Sequence, residues 1–100
     1  MRTNLQEVSM NEAETRHSIC REIFKAIHEG RWLSIEYQNK NNQITKYWIG
    51  IRNINPIRRV LDVDGLHLGL HTLAHYEHIY IDSILSADIV EGTYCERNSQ

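Results

Sequence analysis

The stretch ICREIFKAIHEGRWLSIEYQ, residues Ile19–Gln38, decides the fold, because the apolar period changes inside it. Ile19, Ile23, Ala26 and Ile27 recur at helical spacing, with Phe24 beside them, which puts one apolar stripe on one helix face. Gly30 then ends the helix as a left-handed residue, a conformation glycine adopts without steric penalty. Past Gly30 the period drops to two. Leu33, Ile35 and Tyr37 point one way while Ser34 and Glu36 point the other, the pattern of a half-buried strand.

Working outward, Asn11 is placed to cap the helix start, and Glu14 lies three residues on, as in a capping box. Met1–Met10 shows no steady period and reads as a flexible N-terminus. After the first strand, Asn39–Gln43 is a polar turn, and Ile44–Ile54 reads as a second strand with Tyr47, Ile49 and Ile51 on one face. Gly50 marks a bend in it, and Asn55-Pro56 stops it. Arg58–Val63 reads as a third strand, Asp64-Gly65 as a hairpin turn, and Leu66-His67-Leu68 as a fourth strand. Leu70–His78 has no clean strand period and is expected to be a loop or one helical turn. Ile79 and Ile81 open a fifth strand, which continues over Ile84–Val90 after a kink at Ser83. Residues 92–100 read as a flexible tail, so residues 11–91 form one domain.

One helix and five short strands predict a mainly β domain. Closing the strands into a small SH3-like or Sm-like barrel removes exposed edges, and the helix stripe covers an open end. The chain's 100 residues suffice for one modest core. A net charge of −2 argues against non-specific binding to DNA or acidic membranes. No apolar run is long enough for a membrane span, and the polar N-terminus has no signal core, so a cytoplasmic location is expected. Cys20 and Cys95 lie in different segments and read as free thiols in a reducing compartment.

At this level of detail the chain resembles a WYL domain over roughly Ile19–Ile89. The passage Ile23-Phe24-Lys25-Ala26-Ile27 through Leu33-Ser34-Ile35-Glu36-Tyr37 is similar to the family's opening helix and strand. Asp62–Leu68 falls at its middle hairpin, and Ile79-Tyr80-Ile81-Asp82-Ser83-Ile84 resembles its closing motif. The name-giving Trp-Tyr-Leu triplet is absent, with Tyr47-Trp48-Ile49 as a loose echo. Tyr80 and Ser83 stand where the family carries arginines. The resemblance implies an Sm-like barrel with an N-terminal helix, working as a bacterial regulatory or sensing domain that binds nucleic acid or a nucleotide-like ligand.

The residues themselves offer one basic group, Arg52, Arg58 and Arg59, whose guanidinium forks suit phosphate oxygens. Trp48, Tyr80 and His67 supply rings, and cations beside stacking rings are what single-stranded nucleic-acid sites combine. The plainer reading makes the arginines a solvated strand start and Trp48 a packing residue under the helix. The nucleic-acid reading requires Arg58, Arg59, His67 and Trp48 to converge on one open surface. His71, His75 and His78 would share a face on a helix, but no further ligand completes a zinc set, so no metal is expected. No elbow glycines flank the serines and no phosphate loop is present, so no catalytic residue and no cofactor are expected. A sensing module that binds single-stranded nucleic acid or a nucleotide-like ligand is therefore the first expectation. A protein-interaction or oligomerisation domain, including a homodimer or part of a larger chain, is the alternative.

Overall fold

The computed structural model describes residues 12–94. The readings of Met1–Asn11 and Cys95 lie outside them. Helix α1 spans Glu12–Glu29 and is followed by β1 (Arg31–Gln38), β2 (Ile44–Asn55), β3 (Val60–His67), β4 (Thr72–Tyr80), a 3₁₀ turn (Ile81–Ser83) and β5 (Ile84–Thr93). The mainly β class with one N-terminal helix and five strands is as the sequence predicts. The helix ends as expected, with Gly30 at φ 66°.

The strands form one antiparallel sheet in the order β4-β3-β2-β1-β5. It is not closed into a barrel, because no ladder joins β4 to β5. Instead α1 packs against β5, β1 and β2, and its stripe of Ile19, Ile23 and Ala26 joins Leu33, Ile35, Ile49, Leu61, Val63, Ile79, Ile81 and Ile84 in one core. Each of the isoleucine, leucine and valine side chains contributes about 1.5–3 kcal/mol when fully buried. The helix thus takes over part of the covering that strand closure would otherwise provide.

Several readings of the middle of the chain are corrected: Leu66-His67-Leu68 is no separate strand, since Leu66 and His67 end β3, and Ile79 belongs to β4 rather than opening the fifth strand. Asp64-Gly65 makes no hairpin; both residues lie inside β3, where Gly65 pairs with Ile49 on one side and Ala74 on the other. Gly65 is there for space. A Cβ at this position would lie 2.9 Å from the Tyr76 ring. Leu70–His78 is no loop, since Thr72–Tyr80 forms β4. As an edge strand β4 is exposed at all but Tyr76 and Ile79, which hides the usual alternation of polarity. The third strand starts at Val60 rather than Arg58, and Arg59, at φ 60°, belongs to the preceding turn. The expected kink at Ser83 is the 3₁₀ turn. Strand β5 continues past Val90: Thr93 pairs with Arg31, and the Tyr94 amide donates to the Gly30 carbonyl at 2.8 Å.

No helix of the described residues is long and apolar enough to cross a membrane.

Candidate functional site

The β2–β3 turn is built by Asn55. Its side-chain oxygen accepts hydrogen bonds from the Ile57 and Arg58 amides at 3.1 and 3.0 Å, and its carbonyl accepts the Arg59 amide at 2.8 Å. Short polar side chains stabilise turns in this way. The register of β2 against β3 slips between Ile51 and Asn53, and that of β3 against β4 slips between Leu61 and Val63. The second slip leaves Glu77 and His78 opposite the single residue Asp62. Such bulges bend strands and re-aim side chains.

Together the turn and the bulges form an open cleft of about 300 Å³, whose polar lining includes Asn53, Asn55, Arg58, Asp62, Glu77 and His78. Arg58 makes no ion pair among the described residues. Asp62 is hydrogen-bonded to Nε2 of His75. The amide oxygens of Asn53 and Asn55 are engaged by backbone N–H groups, which leaves their NH₂ groups as donors. At the rim, His78 stacks on Tyr80, with centroids 6.4 Å apart and planes 25° apart. Tyr80 is 47% exposed and pairs with Val60, which also lines the cleft.

The remaining sequence-predicted site residues lie elsewhere. The Arg59 guanidinium holds Asp82 through bonds of 2.9, 3.1 and 3.2 Å, and Arg16 reaches the same carboxylate at 3.4 Å. The Arg59 hydrogen bonds keep the Asp82 carboxyl below the usual carboxylate range, and Asp82 in turn raises the Arg59 guanidinium. This group ties the turn to the 3₁₀ segment and the helix. Arg52 pairs with Asp64 at 3.4 Å, and the Tyr94 hydroxyl donates to the same carboxylate at 2.6 Å. Trp48 lies on the outer face of β2, between Ser34 and Leu66, and is 37% exposed.

His67 sits at the far end of β3. Its Nδ1 accepts the Leu70 amide at 3.0 Å, and its ring meets the edge of Tyr47, with centroids 5.3 Å apart. Tyr47 is also in ring contact with Tyr37 and Tyr76. Burial, followed by the neighbouring tyrosines, raises its pKa and keeps the hydroxyl protonated. His67 therefore belongs to a structural aromatic cluster.

Of the six predicted residues, only Arg58 lines the cleft, and Tyr80 lies next to it, stacked on the lining His78 and paired with the lining Val60. Asn53, Asp62, Glu77 and His78 are members that sequence reasoning did not assign to it. Of these, His78 alone carried a signal, through the histidine spacing. The histidines share no helix face, because His75 and His78 lie on β4 and His71 in the turn before it. Among the described residues no group of three His, Cys, Asp or Glu side chains is placed to hold a metal ion. Cys20 is a half-buried free thiol.

Comparison with family models, with curated proteins and with solved structures finds no match for this chain.

Proposed function

We propose that this chain is a non-enzymatic sensing module that binds a small nucleotide-like ligand in the cleft beside Arg58. The observation that carries this reading is the contrast among the three arginines. Arg52 and Arg59 are each paired with an aspartate, whereas the Arg58 guanidinium at the cleft makes no ion pair among the described residues. One such guanidinium suits one phosphate group. Asp62 and Glu77 provide acceptors for ribose hydroxyls or exocyclic amines, and the Asn53 and Asn55 amides provide donors. The stacked His78–Tyr80 pair supplies a ring surface for a base.

The same contrast weighs against a long nucleic-acid strand. Against Arg58 the cleft sets the two carboxylates of Asp62 and Glu77, so it lacks the cationic track that a phosphate backbone needs. The residue-level resemblance to WYL domains agrees with a bacterial, cytoplasmic regulatory role, and both are part of this proposal.

The test is calorimetric titration of the full chain with the four common nucleoside monophosphates, with inorganic phosphate and the free nucleosides as controls. A monophosphate is expected to bind more tightly than either of its parts. Arg58→Ala is expected to weaken it at least about tenfold, the size of a lost charge-assisted hydrogen bond. No binding by any monophosphate, or equal binding by Arg58→Ala, overturns the proposal.

A further inference from the structure

We propose that the chain forms a two-fold dimer in which β4 pairs antiparallel with β4 of a second copy. This inference does not depend on occupancy of the cleft. Strand β4 lies at the end of the sheet order, with no neighbour beyond it among the described residues. Seven of its nine residues are exposed, and Leu73 is 66% exposed. Its sequence, TLAHYEHIY, contains no lysine, arginine or proline, the residues that commonly guard an open edge against pairing.

The strand's own charge pattern selects the occupant. Antiparallel pairing about a two-fold axis at Tyr76 sets His75 opposite the partner's Glu77, and Glu77 opposite the partner's His75. The pattern is self-complementary, as an isologous contact requires. Glu77 has no ion pair among the described residues. His75 engages Asp62 through Nε2, and as the imidazolium, in which both ring nitrogens carry hydrogen, it donates through Nδ1 to the partner's Glu77. Directly opposed residues on paired strands have Cβ atoms about 4.5–5.5 Å apart, within reach of this bond. The bulge at Glu77 and His78 limits the regular pairing to a few residues, so the dimer is expected to be reversible and concentration-dependent.

Sedimentation velocity of the full chain, over a wide concentration range and without ligand, tests this. The wild type is expected to show a monomer–dimer equilibrium. Glu77→Lys replaces two attractive pairs by two repulsive ones and is expected to raise the dissociation constant roughly tenfold. Glu77→Gln removes only the charge and is expected to act in the same direction by less; it decides the matter if the lysine variant fails to fold. A monomer at every concentration, a dimer indifferent to both substitutions, or a larger closed ring overturns the proposal.

Discussion

The hydroxyl of Tyr37 accepts a hydrogen bond from the backbone amide of Tyr80 at 3.1 Å, joining β1 to the end of β4 across the two strands between them. In a flat sheet these strands would be about 14 Å apart, three steps of about 4.8 Å. The sheet must therefore curl toward the face that carries Leu33, Ile35 and Tyr37. An open strand order thus approaches the shape of a barrel through an inward side chain rather than a closing ladder. Tyr37→Phe should lower stability by about 1 kcal/mol or less, as for one exposed hydrogen bond. It should also speed hydrogen exchange at the Tyr80 amide. Unchanged exchange would show that the bond does not hold the curl.

The docking of the helix is tested at Ile23, which is 1% exposed beneath the sheet. Ile23→Ala should destabilise by about 2–5 kcal/mol, the sum of lost burial and the cavity left behind. The same change at half-buried Ile27 should be milder. Chemical denaturation of both variants measures the ordering, and equal effects would contradict the packing described.

Gly50 and Tyr94 form a second testable pair. A Cβ on Gly50 would lie 2.1 Å from the Tyr94 ring, which also meets Trp32 edge-on at 4.9 Å. Gly50→Ala should displace the ring and destabilise by about 1–3 kcal/mol, the range for overpacking. With Tyr94→Ala already present, the same change should have much less effect. A double-mutant cycle in thermal unfolding measures the coupling, and additive effects would argue against the contact.

The contact between Arg59 and Asp82 makes a prediction about pH. The folded carboxyl titrates below its unfolded value, so the contact contributes stability above the ordinary carboxylate range. That contribution is lost as the pH falls through the depressed folded value. Asp82→Asn should flatten this acid limb of the stability curve, and added salt should shrink the difference because both groups are exposed. Melting curves over an acid pH series test it, and parallel curves for the two proteins would contradict the assignment.

The helix, β1 and β2 were legible because each carries a full period of apolar residues bounded by Gly30, Asn39 and Pro56. The chain from Asp62 to Tyr80 was not. Asp64-Gly65 has the composition of a turn, yet the glycine serves the Tyr76 ring and the aspartate serves Arg52 and Tyr94. The sequence of β4 has the polarity of a loop because the strand lies at an edge. At the cleft, Arg58 and Tyr80 were readable as residue types. Asn53, Asp62, Glu77 and His78 are brought there by two register slips, which no local pattern announces.

The most direct test of the central claim is two-dimensional amide NMR of the isotopically labelled chain, titrated with the tightest-binding nucleoside monophosphate. Saturable shifts are expected at Asn55, Arg58, Glu77 and His78, and Arg58→Ala should require roughly tenfold more ligand to reach them. No shift at millimolar nucleotide, or shifts centred instead on Trp48 or His67, would contradict the account.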